Sequence, residues 1–299
     1  MLRSLKGIGL LIIANFLIFF TLVISGTILI NVVLPSFGID LRGSLTANEF
    51  AWSLVFGFGG AFISLFMSKF LAKRAYRMQQ VINPTTDKEK LVYETVAHLA
   101  EREGIRMPEV WVYWDDAPNA FATGPTRNNA MVAVSSGLVM HMNDAEVRAV
   151  LAHEVGHVTN GDMLASTLLQ GLMNTFVYFV ARMIARPIME RNYWAGFAVY
   201  MVLQFVLSIL AMIPVTWFSR RREFRADAYA ASVVGAASMI SALQKLEYLS
   251  QRPVTQEEPA EDDALATMKI YAAHGKVAGL FATHPPIQAR IEALRHPQA

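Results

Sequence analysis

Leu151-Ala152-His153-Glu154-Val155-Gly156-His157 decides how the rest of the chain is read. Two histidines four apart on a helix project from one face, because 3.6 residues complete a turn. That spacing lets two imidazoles bind one metal ion beside a glutamate that can act as general base. The surrounding residues put the motif inside a helix. Asn143 with Glu146 three positions on forms a capping box, Val147, Val150, Leu151 and Val158 recur at helical spacing, and Asn160-Gly161 is a stop signal. The bland alternative is a solvated helix face that happens to carry the same three residues, so the reading turns on a third ligand.

Downstream, Arg220-Arg-Arg-Glu223-Phe-Arg-Ala-Asp227 supplies one. Glu223 and Asp227 lie four apart on one helical face. The pair suits a carboxylate ligand together with an aspartate that orients a ligating imidazole through its other nitrogen. A salt-bridged surface helix would explain the segment in isolation; beside His153 and His157 the ligand reading prevails. The chain has no cysteine, so any zinc must be held by histidine and carboxylate. One Zn2+ per chain is expected.

Composition sets the environment. Of 299 residues 54% are hydrophobic and 17% charged, which fits a membrane protein, and a net charge of +2 gives no reason to expect nucleic acid. Four stretches carry no charge: 33 residues from Gly7 to Ile39, 19 from Phe50 to Ser68, 19 from Met163 to Ala181 and 28 from Asn192 to Ser219. About 20 apolar residues cross a bilayer, so the expectation is four transmembrane helices in two hairpins. The first run is too long for a signal-peptide core and no small-residue cleavage site follows it directly. Arg3 and Lys6 precede the first span, and Lys69, Lys73, Arg74 and Arg77 follow the second. The positive-inside rule then places the N-terminus and everything after Lys69 in the cytoplasm. The second link, Arg182–Arg191, holds three arginines and one glutamate, against that rule. Either the second hairpin spans despite the bias, or it packs shallowly; spanning is the favoured reading.

The fold class expected is therefore a mainly α integral membrane protein with an α+β zinc domain carrying a small antiparallel sheet. The boundaries are 1–80 for the first hairpin, 81–162 for the first catalytic segment, 163–219 for the second hairpin and 220–299 for the second catalytic segment. Thr86-Asp-Lys-Glu89 caps a helix striped by Leu91, Val92, Val96 and Leu99 and ended by Gly104. Glu109–Asp115, Asn119–Gly124 and Met131–Ser135 read as three strands of an antiparallel meander. Asn119, Ala120, Phe121 and Ala122 are the candidate substrate-binding edge, where an extended peptide would be held by main-chain hydrogen bonds; an ordinary hairpin with a buried Phe121 is the alternative. Arg222–Ser250 reads as helical, Arg252–Asp263 as a mobile loop, and Leu265–Leu280 as a weak helix. For the group that stabilises a developing oxyanion, His284, Arg290 and Tyr229 are candidates. A His-Pro-Pro turn that merely fixes the last helix is the alternative for His284.

Taken in order, Asn119-Ala-Phe-Ala, His153-Glu-Val-Gly-His157, Glu223-Phe-Arg-Ala-Asp227 and Thr283-His-Pro-Pro286 resemble the HtpX family of bacterial membrane-bound heat-shock metalloproteases, related to the CAAX prenyl proteases. The resemblance covers essentially the whole chain. It implies a gluzincin-type domain with His153, His157 and Glu223 as zinc ligands, Glu154 as base and Asp227 holding the His153 ring. It also implies an endopeptidase of the bacterial inner membrane, facing the cytoplasm, that degrades misfolded or damaged membrane proteins under stress, with other membrane proteases as partners. A prenyl-protein protease and a silent zinc-containing scaffold remain the rivals. A transporter is disfavoured because the four apolar runs contain no ionisable residue.

Overall fold

The computed structural model describes residues 20–41, 44–76, 78–250 and 284–296. The loop and weak helix expected over 252–280 lie outside the described residues, as do Thr283 and the first residues of the Gly7–Ile39 run. Nine helices and four strands are described. They are α1 (Phe20–Ser36), α2 (Leu45–Ala75), β1 (Met78–Gln80), α3 (Asp87–Arg102), β2 (Glu109–Tyr113), β3 (Ala120–Thr126), β4 (Asn129–Ser135), α4 (Ser136–His141), α5 (Asp144–Asn160), α6 (Asp162–Arg191), α7 (Tyr193–Val234), α8 (Ala236–Ser250) and α9 (Ile287–Arg295).

The residues divide into two compact units, Met1–Leu65 with Thr167–Met212, and Phe66–Ser166 with Ile213–Ala299. The first is the apolar one. Three helices, α2, α6 and α7, are long and apolar enough to cross a membrane, and α1 is shorter and apolar. The described residues thus hold three such spans where the sequence predicts four, the first expected span being described only from Phe20 onward. A wide π turn at Leu29–Val33 precedes Pro35 in α1, where the missing N–H breaks the regular ladder. Glycines let the helices close in: Gly57 abuts the Thr175 backbone and Gly171 the Phe58 ring.

Arg182–Arg191 is not a loop. It forms the last turns of α6, and Asn192 alone separates α6 from α7. The arginines have partners there. Arg182 Nε lies 3.2 Å from Glu49 Oε2, and Arg186 Nε lies 3.0 Å from Glu190 Oε1.

The second unit is built on a four-stranded sheet of order β1-β2-β4-β3, with β1 antiparallel to β2, β2 parallel to β4 and β4 antiparallel to β3. The sheet is mixed, which corrects the expected antiparallel meander. The cause lies in 115–119. Ala117 N–H donates to Asp115 Oδ1, Asp115 C=O accepts from Gly137 N–H, and Asn119 N–H donates to Ser135 Oγ. These bonds pin the connection across the end of β4, so β3 returns on the far side of β4 instead of beside β2. The short strand β1 is an addition the sequence pattern does not announce. At Gly124 φ is +147° and a side chain would overlap the Asn129–Ala130 backbone, so only glycine fits the irregularity between Thr123 and Thr126.

Both faces of β4 are covered. Val132 and Val134 enter the main core with Leu91, Val96, Val150, Leu151, Leu243 and Leu246, while Met131 and Ala133 pack with Tyr113, Phe121 and Ala72. That alternation is the period of a strand. The same packing sets α5 between sheet and helices, which fixes the histidines.

Candidate metal centre

Helix α5 opens with the predicted capping box. Asn143 Oδ1 accepts from Glu146 N–H, Glu146 Oε2 accepts from Asn143 N–H, and Gly161 ends the helix at φ 69°. Val147, Val150, Leu151 and Val155 face the core. The remaining face meets α7 where a Cβ on Gly156 would sit 2.9 Å from Tyr229 Cδ1 and 3.5 Å from Ala226 Cα. That close approach brings Glu223 to the histidines.

His153 Nε2 and His157 Nε2 are 3.2 Å apart, and Glu223 reaches them at 3.5 and 3.3 Å respectively. Ligands held about 2.1 Å from a tetrahedral ion stand about 3.4 Å from one another. The three donors therefore have the spacing that one metal ion requires, and they form a group able to hold one. His153 is 3% exposed, Glu154 5% and Glu223 2%, so the centre is shielded from bulk water.

Each imidazole is oriented from behind. His153 Nδ1 lies 2.9 Å from Asp227 Oδ1, and Asp227 in turn accepts two hydrogen bonds from Arg290, from Nε at 2.7 Å and Nη2 at 2.6 Å. His157 Nδ1 lies 2.7 Å from Asp162 Oδ2. Sequence reasoning missed Asp162, which stands immediately after the helix stop. The left-handed turn at Gly161 swings its carboxylate back under His157. The signal was present in the rule that a ligating histidine needs an acceptor on its other nitrogen: only His153 had been given one. Arg222 Nη1 donates to the Asp162 carbonyl at 3.0 Å and Arg225 Nη2 stands 3.6 Å from its carboxylate, joining the two motif segments.

The charges follow from burial and these partners. Burial disfavours charged His157, but the hydrogen bonds it donates to Asp162 and Glu223 outweigh it and raise its pKa to about 10. His153 is raised for the same balance of reasons, with Asp227 and Glu223 opposing desolvation. A metal binds the neutral imidazole, so it competes with protons for these ring nitrogens. Glu154 is raised chiefly by desolvation, since burial disfavours its charged form.

The three oxyanion candidates separate. Arg290 is fully buried and committed to Asp227, and Tyr229 donates to Glu103 at 3.1 Å. His284 Nδ1 lies 2.8 Å from Glu223 Oε2, beside the ligand group. Asn119, Ala120, Phe121 and Ala122 lead into and form the start of β3, an edge strand packed along α5. Phe121 is 5% exposed, in contact with Tyr76 and Tyr113.

Residues 86–298 match the description of peptidase family M48. A "Protease HtpX homolog" from Methylacidiphilum infernorum is 42% identical over 302 residues, covering 97% of this chain and 98% of the relative. "Protease HtpX" from Pseudoalteromonas atlantica is 42% identical over 294 residues, covering 93% and 98%. The crystal structure of S. mikatae Ste24p has the same fold, with a TM-score of 0.62 at 19% identity over 95% of this chain and 66% of that one. With its apolar helices and its metal-binding group, the chain belongs to peptidase family M48 as a membrane-bound metalloendopeptidase, alongside the HtpX proteases.

Proposed function

We propose that the chain is a zinc-dependent endopeptidase that cuts misfolded or damaged membrane proteins on the cytoplasmic side of a bacterial inner membrane, as protein quality control under stress. The observation that carries the reading is the convergence of His153, His157 and Glu223 with Glu154 adjoining. A closed structural zinc site needs four protein ligands. Among the described residues three converge, which favours catalysis over a silent scaffold.

His153, His157 and Glu223 would hold the ion, with Asp227 and Asp162 fixing the two rings. When bound, zinc supplies Lewis-acid polarisation and makes water more acidic. Glu154 takes the proton of the water that attacks the scissile carbonyl and delivers it to the leaving amine. His284, whose Nδ1 lies 2.8 Å from Glu223 Oε2, is assigned as the donor to the developing oxyanion, an interaction worth about 3 kcal/mol. Substrate lies extended along Asn119–Ala122, adding a strand to β3. Main-chain pairing there accepts many sequences but only an unfolded segment.

The topology proposed is four spans, with N-terminus and catalytic residues cytoplasmic; Lys69, Lys73 and Arg74 directly after the second apolar run support it. The test uses one substrate protein and a destabilised variant of it with identical cleavable sequence. The variant is expected to be cut faster in proportion to its unfolded fraction. Equal rates on the two would contradict the edge-strand reading.

A further inference from the structure

The apolar unit contains a cavity of about 650 Å3 that the proteolytic chemistry does not use. Its walls are Trp52 and Phe56 from α2, Tyr178 from α6, Tyr200 from α7 and Val23 from α1; Glu49 and Arg182 also line it. Trp52 stacks on Phe56 with centroids 5.7 Å apart, and Phe56 meets Tyr178 edge to face at 6.4 Å. The two charged residues are the informative ones. Glu49 is the only charged residue of α2 before Lys69, and Arg182 is the first charged residue in α6 after Asp162. Each therefore stands at the border of an apolar run, against the cavity.

Arg182 meets Glu49 through Nε alone, at 3.3 and 3.2 Å from its two oxygens. Among the described residues, its Nη1 hydrogen-bonds the Met189 sulfur alone, at 3.6 Å. A guanidinium carries five N–H donors, so among the described residues most of its capacity is left for a ligand, and its side chain is 44% exposed. The rim is thus a dipole, a cation and an anion side by side, above aromatic faces that attract cations. An anionic group alone would satisfy Arg182 and meet repulsion from Glu49; a cationic group alone would do the reverse. A group carrying both charges satisfies both.

We propose that this cavity binds the headgroup of a zwitterionic phospholipid, with its phosphodiester on Arg182 and its ammonium on Glu49 and the faces of Trp52, Tyr178 and Tyr200. The phosphate, nearer the glycerol, takes charge-assisted hydrogen bonds from the guanidinium, and an acyl chain runs past Phe56 and Val23. The ligand is one the bilayer itself supplies, and the proposal does not depend on the protease mechanism.

The test reads Trp52. The full chain is reconstituted in phosphatidylglycerol vesicles containing rising fractions of phosphatidylethanolamine, phosphatidylcholine or phosphatidylglycerol with brominated acyl chains. Quenching of Trp52 is taken as the difference from Trp52→Phe. Half-maximal quenching is expected at a mole fraction at least about threefold lower for a zwitterionic lipid than for brominated phosphatidylglycerol. Preference for ethanolamine assigns the larger role to Glu49, and preference for choline to the aromatic faces; either supports the proposal. Exchanging the charges, Glu49→Arg with Arg182→Glu, keeps an ion pair but reverses its direction, and should abolish the preference. Should that pair fail to fold, the neutral pair Glu49→Gln with Arg182→Gln gives the same expected loss. Equal quenching by all three lipids, or a preference that survives both changes, overturns it.

Discussion

Replacing Gly156 by alanine adds one methyl group between the two metal-binding helices. The new carbon would sit 2.9 Å from Tyr229 Cδ1, where ordinary contact begins at 3.4 Å, so the neighbours must part by about 0.5 Å. Tyr229 cannot simply swing aside, because its hydroxyl is bonded to Glu103 at 3.1 Å. The simplest relief is for α7 to move away from α5, carrying Glu223 with it. Ligand distances tolerate only about 0.2 Å of error, so the metal affinity should fall about 10- to 100-fold. Overpacking should also cost about 1–3 kcal/mol of stability, partly offset by up to about 1 kcal/mol of helix propensity. Gly60→Ala in α2 is the matched control, since nothing lies within 4 Å of its added carbon. Competition against a chromophoric chelator gives the affinity, and a thermal or denaturant transition gives the stability. A Gly156→Ala affinity within about twofold of the parent would refute the idea that helix spacing sets the ligand geometry.

Two further substitutions test the surroundings of the site. Asp162→Ala should weaken metal binding by about 10- to 100-fold by freeing the His157 ring, while the fold persists; unchanged affinity in the same chelator assay would remove Asp162 from the site. Glu109 bonds Lys69, Lys73 and the Trp111 indole, and although burial opposes its charge, these partners hold its pKa down at about 2. A depressed carboxylate stabilises the fold above its unfolded pKa of 4.5 and loses that contribution as pH falls toward 2. Glu109→Gln should therefore cost about 2 kcal/mol near pH 7, discounted for partial exposure, and less than half of that by about pH 3. A stability gap that stays constant with pH would exclude the ionised carboxylate as its source.

The parts of this protein legible from sequence are those governed by local periodicity. Four-residue spacing set His153 and His157 on one face and paired Glu223 with Asp227. The capping boxes at Thr86 and Asn143 and the glycine stop at Gly161 fall where local chemistry puts them. What escaped depends on contacts far apart in the chain or on the turn between elements. Arg290 reads from sequence as a candidate oxyanion donor, but Asp227, 63 positions earlier, holds it in the core. Asp162 belongs to the site only because Gly161 reverses the backbone. The strand order could not be read because 115–119 is pinned by side chains of β4 and α4 that no pairing pattern announces. The pairing of Arg182 with Glu49 likewise joins two helices whose charges, counted link by link, contradict the topology rule.

The most direct test of the account compares the parent chain with Glu154→Gln, each purified in detergent, supplied with zinc or stripped of it, and given an unfolded protein. Both chains should bind one zinc ion with similar affinity, since Glu154 is not among the three donors. Only the zinc-loaded parent should cleave the substrate. Cleavage by Glu154→Gln at the parent's rate would contradict the assignment of Glu154 as the base, and undiminished cleavage after removal of zinc would contradict the metal centre itself.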